Sequence, residues 1–401
     1  MSNSNLQQTD PGKQRIESID LLRGLVMIIM ALDHTRDFFH RDGLTGNPLD
    51  PATTTPILYF TRWITHLCAP TFVFLSGLSA WLQHRRKSTA ELSRFLISRG
   101  LWLILLEVTV ITLGITADIH FGVFVLQTIW SIGISMVILG LLIWLPFPVL
   151  LSIGILIVFG HNLLDYPEAA REGKVPVWWN FLHLPTFIPL TAKHGILLFY
   201  PFLSWAGLMI LGYCCGRIFT TTGVEQRKKI LLSMGAGALV FFIGLRLTNS
   251  YGNPGSWSKQ ASPLQTFYSF MDVQKYPPSL LFMCATIGCS LIFLGLCKNA
   301  KGKFAEVIKV YGRVPFFYYI LHFYLLQIIN IIDYLGRGHS VAEGMEGVPN
   351  IPFKFEVIGE GYNLFTVYVI WLAVVIALYP LCRWYDRYKM AHKEKWWLSY
   401  L

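Results

Sequence analysis

The chain has 401 residues, of which 54% are apolar and only 14% charged, with a mean hydropathy of +0.49; an ordinary soluble protein carries about a quarter charged residues. That balance excludes a single water-soluble domain, and the lack of sustained period-two alternation argues against a sheet protein. The net charge of +10 comes with no basic-aromatic module, so no nucleic-acid partner is read from it; in a membrane protein the same excess collects in cytoplasmic loops.

The expected fold is all-α, a polytopic integral membrane protein of about ten transmembrane helices in the lipid bilayer. Residues 1–17 are a polar tail without a basic-then-apolar leader, so the first helix is expected to act as its own signal. About twenty mainly apolar residues cross the hydrocarbon. Segments near 18–40, 56–83, 95–114, 122–144, 146–163, 196–216, 230–249, 278–297, 312–335 and 362–382 qualify. Leu145 and Pro146 mark a tight hairpin between the fourth and fifth. Residues 18–388 form a single membrane domain and 389–401 a cytoplasmic tail.

Charge supports the topology. With the N-terminus cytoplasmic, twenty-one Lys and Arg fall in inner segments and nine in outer loops, which places both termini inside. Three long outer connections, near 164–195, 250–277 and 336–361, are where binding is expected; Val177-Trp178-Trp179 and Pro185–Pro189 are apolar enough for the membrane interface. The seven cysteines lack a CxxC spacing and lie mostly in apolar runs, so neither a disulfide framework nor a zinc site is expected. No HExxH, GxxxxGK[ST] or GxSxG pattern occurs, and no metal is predicted.

Ionisable residues within membrane helices are costly and call for a partner or a function. The first helix holds the densest set: Asp20 and Arg23, then an apolar run, then Asp33, His34, Arg36 and Asp37. Eleven residues at about 100° each return to nearly the same face, so Arg23 and His34 are roughly 16 Å apart on one side and can face the two halves of a shared passage. Asp37, at i+3, is the local candidate to orient His34. The competing reading has Arg23 snorkelling to headgroups while the other four end the helix in water. Arg62 and His66 share the outer half; Asp118, His120, Gln127, Trp130 and Arg246 are candidates for the same cavity but read more readily as structural. Glu107 and His322 lie deeper, serving either interhelical hydrogen bonds or a proton or substrate path.

Arg15-x-x-Ser18-Ile19-Asp20-x-x-Arg23-Gly24 followed by Asp33-His34, Ala69-Pro70-Thr71-Phe72 through Ser76-Gly77, Lys275-Tyr276-Pro277-Pro278-Ser279-Leu280, and Tyr311-Gly312-Arg313-Val314-Pro315 with His322 together resemble the DUF1624 proteins, relatives of heparan-alpha-glucosaminide N-acetyltransferase. The Arg23-x10-His34 spacing is similar to the signature of the wider transmembrane acyltransferases. The resemblance implies transfer of an acyl group, usually acetyl, from cytosolic acyl-CoA to an extracytoplasmic sugar or glycan amine or hydroxyl, in a bacterial-type cytoplasmic membrane. By carry-over, Arg23 helps hold the CoA end, with Arg217 and Arg313 as further inner-side candidates. His34 is the general base, Asp33 or Asp37 sets its tautomer, and Arg62 stabilises the oxyanion, with Arg36 and His66 beside the acceptor. The heparan branch has Asn in place of Asp33, and an alignment with a small gap puts His40 in the role of the base, which leaves His34 and His40 as alternatives. A secondary transporter and a non-catalytic glycan-export partner are the rival functions, and the oligomeric state stays open between monomer and homo-oligomer.

Overall fold

The computed structural model describes residues 16–43, 45–297, 300–348 and 351–399; of the twenty-one Lys and Arg assigned to the inner side, Lys13, Arg15 and Lys298 lie outside them. The first half of the chain runs through α1 (Glu17–Phe39), α2 (Pro56–Thr65), α3 (Cys68–His84), α4 (Thr89–Leu106), a π-helical turn (Glu107–Ile111), α5 (Thr112–Thr116), β1 (Val123–Leu126), α6 (Thr128–Leu142), α7 (Phe147–Gly160), α8 (Asp165–Ala170) and α9 (Val177–Leu182). There follow β2 (Thr186–Pro189), β3 (Gly195–Leu198), α10 (Phe202–Gly216), α11 (Ile218–Thr221), α12 (Val224–Thr248), α13 (Pro263–Met271), α14 (Leu280–Leu296), α15 (Lys303–Arg313), α16 (Pro315–Gly336), α17 (Val341–Glu346) and α18 (Leu364–Ala391).

Among the described residues, seven helical stretches are long and apolar enough to cross a bilayer: Pro56–His84, Thr89–Thr116, Phe147–Ala170, Phe202–Thr221, Val224–Thr248, Pro315–Gly336 and Leu364–Ala391. The apolar helices Thr128–Leu142 and Leu280–Leu296 are shorter. At 23 residues α1 is long enough as well, reaching about 35 Å, but it carries its charges inside the bundle. The protein is a polytopic, mostly helical membrane protein. Leu156 on α7, Val240 on α12 and Ile376 on α18 point outward, each about 70% exposed, as helices in contact with lipid require.

Local chemistry sets the helix starts. Ser88 and Glu91 form a capping box ahead of α4, and the side chains of Ser279 and Asn363 cap α14 and α18. Prolines stand in the first turns of α2, α7 and α16, where a missing N–H is harmless. The structure breaks the expected 56–83 helix at His66–Leu67, between α2 and α3. It also extends the last helix from 382 to Ala391, turns 303–311, expected as inner loop, into most of α15, and starts the expected 312–335 helix only at Pro315.

Helix α1 is central, packing on α3, α15, α16 and α18. Its crossing with α15 is backbone against backbone: a Cβ at Gly24 would stand 1.9 Å from the Ile308 carbonyl oxygen, and one at Gly312 1.9 Å from that of Asp20. Only glycine permits that approach.

Two expected helix starts are strands instead. Residues 123–126 and 195–198 pair in parallel, Val123 opposite Gly195 and Leu126 opposite Leu198, and β2 adds antiparallel to β3 to give the order β1-β3-β2. The runs Val-Phe-Val-Leu and Gly-Ile-Leu-Leu are apolar enough to extend a membrane helix, but they pair at the end of the bundle, where Leu126, Ile188 and Leu198 form a small core with Trp130 and Phe181. The register sets Gln127 and Thr128 beside Phe199 and Tyr200, the Phe199 N–H donating to the Leu126 carbonyl at 3.1 Å.

Candidate active site

His34 lines a cavity of about 300 Å³ at the sheet-bearing end, with Asp33, Asp37 and Arg62 from α1 and α2, Gln127 and Thr128 after β1, Tyr200 after β3, Lys275 and Tyr276 ahead of α14, and Glu356. Its ring stacks on Phe323 with centroids 4.3 Å apart, and its Nδ1 lies 2.7 Å from Nε2 of the buried His322. His322 Nδ1 lies 3.2 Å from the Tyr318 carbonyl oxygen. A carbonyl only accepts, so His322 carries its proton on Nδ1, its Nε2 accepts from His34 Nδ1, and His34 Nε2 keeps a lone pair.

The orienting partner of His34 is therefore His322, from the packed neighbour α16, and not Asp37 or Asp33. Asp37 is drawn sideways to Arg36, whose Nη2 donates to it at 2.5 Å. Asp33 is a charge hub. Arg62 Nη1 donates to both of its oxygens at 2.7 and 2.5 Å, Thr65 Oγ1 donates at 3.0 Å, Arg36 Nη2 stands at 3.0 Å and Lys275 Nζ at 4.0 Å. Arg62 thus lines the cavity with its guanidinium tied to Asp33, and Arg36 is held behind the wall.

The two other outer histidines stand apart. His40, just past α1, accepts from the Asp42 N–H at 3.2 Å through Nδ1 and is absent from the cavity lining. His66 is buried with its ring 5.3 Å from that of Phe282 and does not line the cavity either. Glu356, in the connection before α18, was not singled out by sequence; burial pushes its carboxyl up to about 8 against the lowering effect of the Asn330 hydrogen bond.

At the opposite end Arg23 lines a second cavity, of about 450 Å³, with Arg99, Arg313, Lys389 and Lys393. Arg23 donates to Ser79 Oγ at 2.8 Å and to the Gly312 carbonyl at 3.2 Å, and Arg313 Nε to Asp386 at 2.9 Å. The deeper walls are apolar: Met27, Phe72, Leu103, Ile132 and Met136. Arg217 does not line this cavity. It is exposed and lies over the Phe147 ring at 4.6 Å, because the turn after α10 points it along the helix surface.

Thr128 lines both cavities. Two cavities that share one lining residue stand where the helical spacing of Arg23 and His34 suggested a single passage. Glu107, in the π turn beside this junction, accepts from the Gln127 N–H at 2.6 Å, and so fixes the bend between β1 and α6.

Three other candidates are structural. Asp118 caps its own turn by accepting from the His120 and Gly122 N–H groups, Trp130 donates to the Tyr200 carbonyl, and Arg246 donates to the carbonyls of Phe270, Gly255, Ser269 and Asp272. Asp165, Glu168 and His183 come within 4.8 Å of one another. Their polar atoms already serve each other and their neighbours: His183 Nδ1 pairs with Glu168 at 2.8 Å, Trp179 donates to Glu168, Asn162 donates to Asp165, and His183 Nε2 faces His161 Nδ1 at 3.0 Å.

Residues 15–247 match a family model described as heparan-alpha-glucosaminide N-acetyltransferase, catalytic. The matched stretch spans more than half of the chain and contains Arg23, Asp33, His34 and Arg62, whereas His322 and Glu356 lie beyond it. No curated protein matches the chain.

Proposed function

This chain belongs to the heparan-alpha-glucosaminide N-acetyltransferase catalytic family, and we propose from that premise that it moves an acyl group, acetyl in the first instance, from acyl-CoA in the Arg23 cavity to an amine or hydroxyl of a sugar or glycan in the His34 cavity. The observation that carries this reading is that Thr128 lines both cavities, with His34, its Nε2 lone pair free of His322, in the wall of the second. A basic mouth that narrows to apolar walls fits acyl-CoA: Arg23, Arg99, Arg313, Lys389 and Lys393 suit its phosphates, and the walls of Met27, Leu103 and Ile132 suit its slender arm. The clustering of basic residues there supports a cytoplasmic position for that mouth. Phe199, Tyr200, Tyr276 and Phe353 give the other cavity aromatic walls for a sugar ring, with Asp37 and Glu356 as acceptors for its polar groups.

In the reaction, His34 Nε2 removes the proton from the acceptor N–H or O–H as that atom bonds to the thioester carbon. The carbon–sulfur bond then breaks, and the imidazolium returns the proton to the sulfur. His322 holds His34 in the tautomer this needs.

The test is purified protein in lipid with acetyl-CoA and a panel of amino sugars and glycans, following thiol release and product mass. Acceptor-dependent release that is lost in His34→Ala but kept in His40→Ala is expected. Folded protein that releases no thiol and yields no acetylated product across the panel overturns the reading.

A further inference from the structure

The transferred carbonyl needs a hydrogen-bond donor for the oxyanion that forms on it, and the donors around the junction are mostly committed elsewhere. Arg62 Nη1 is bound to both oxygens of Asp33, the Thr128 hydroxyl to Tyr200, and Lys275 to Tyr276, while Arg23 holds Ser79 and Gly312 at the far end of the apolar run. Tyr319 differs. It is 4% exposed, and its hydroxyl has no hydrogen-bond partner among the described residues. A buried hydroxyl left without a partner is costly, so its persistence calls for a ligand or a function.

Position supplies the second observation. Tyr319 lines the Arg23 cavity together with Thr128, while its ring meets the His34 ring edge-on at 6.3 Å and the His322 ring at 5.5 Å. It sits one helical turn before His322 on α16, so the element that orients the base also presents this phenol. His34 thus lines the acceptor-side cavity and Tyr319 the CoA-side one, with their rings in edge contact between the two.

We propose that Tyr319 is the oxyanion donor of the acyl transfer, its hydroxyl hydrogen-bonding the thioester carbonyl oxygen of acyl-CoA seated in the Arg23 cavity. The assignment rests on the acyl-transfer reading above. As the acceptor adds to the carbonyl carbon, negative charge gathers on the carbonyl oxygen and the Tyr319 O–H shortens its hydrogen bond to it. When the carbon–sulfur bond breaks the charge leaves with the sulfur, which takes the proton from His34. Tyr319 keeps its own proton throughout.

The experiment compares wild type, Tyr319→Phe and Tyr268→Phe in lipid vesicles, using acetyl-CoA and an amino sugar that the wild type acetylates. Tyr268 also carries a buried hydroxyl without a partner among the described residues, but it stacks on Tyr59 and lines neither cavity, so it reports the effect of deleting such a hydroxyl as such. Tyr319→Phe, which keeps the ring packing, is expected to lower kcat by about 100-fold with KM for acetyl-CoA little changed, and Tyr268→Phe to leave both unchanged. Infrared difference spectra of carbonyl-13C acetyl-CoA bound to His34→Ala, which cannot turn over, give a readout independent of transfer. The carbonyl band is expected at lower frequency with Tyr319 present than in the His34→Ala, Tyr319→Phe double variant. Wild-type turnover in Tyr319→Phe, equal losses in both Phe variants, or an unshifted carbonyl band overturns the assignment. A wild type that acetylates nothing while the band still shifts overturns the transfer reading and this catalytic role with it, leaving Tyr319 as a contact to the bound thioester.

Discussion

His34 Nδ1 and His322 Nε2 lie 2.7 Å apart, across the contact between α1 and α16. The Tyr318 carbonyl fixes the proton on the far side of His322, and the pair therefore delivers one tautomer of His34 to the cavity. In His322→Leu that acceptor is lost and the His34 ring is free to place its proton on Nε2. Transfer is expected to fall by about 10- to 100-fold, at or below the roughly 100- to 10,000-fold that a positioned acid–base group itself contributes, since His322 acts through His34. His322→Gln, whose side-chain oxygen can still accept, is expected to retain more. Steady-state rates on folded protein check this, and equal rates in wild type and His322→Leu contradict it.

Asp33 holds Arg62, Arg36 and Lys275 around one buried carboxylate. Asp33→Ala leaves Arg62 and Lys275 without that counter-charge, Arg36 keeping only Asp37, and is expected to cost about 3–5 kcal/mol of stability. Asp33→Ala with Arg62→Met is expected to recover part of that loss, since the pair is coupled. Thermal melts in detergent decide it; a double variant no better than Asp33→Ala alone removes the Arg62 pairing as the cause.

Gly312 and Gly237 are opposite cases of helical glycine. A Cβ at Gly312 collides with the Asp20 carbonyl, whereas at Gly237 it meets nothing within 4 Å. Gly312→Ala is expected to destabilise by about 1–3 kcal/mol as α1 and α15 are forced apart, and to raise KM for acyl-CoA, because the Gly312 carbonyl accepts from Arg23. Gly237→Ala is expected to be neutral or stabilising by up to about 1 kcal/mol. Melting temperatures of the two variants give the comparison directly.

Glu356 carries a pH signature. Its folded carboxyl titrates near 8 rather than at the ordinary 4.5 because burial disfavours the charged form. Between those values the folded state binds more protons than the unfolded one, so this residue's contribution to stability falls as pH rises from about 4.5 to about 8. Glu356→Gln is expected to flatten that slope, most visibly between pH 6 and 8, in melts taken across the range. An unchanged slope in the variant assigns the pH dependence to other groups.

Fold class and the ends of the candidate pathway were legible in sequence because they rest on local quantities. Hydropathy over about twenty residues marks membrane helices wherever their neighbours fall, and eleven residues on a helix return to the same face whatever it packs against. Arg23 and His34 do line cavities at opposite ends of α1. The strands at 123–126 and 195–198 were not legible, because an apolar run is equally consistent with either state until it finds a pairing partner, here about seventy residues away.

By itself, then, the sequence determined a helical membrane protein with a costly charged first helix, and the residues that carry its family resemblance. Only the tertiary structure decided which groups that helix serves. Asp37 lies at the right helical spacing to orient His34, yet Arg36 takes it, and His322, 288 positions away in the chain, does the orienting. Arg62, named from the sequence as an oxyanion donor, spends its Nη1 on Asp33, while Tyr319 drew no attention and lines the Arg23 cavity with its hydroxyl unpaired among the described residues. Hydrogen bonds act over about 3 Å, and at that range a partner is chosen by which helices pack together, an outcome that spacing along one helix does not contain.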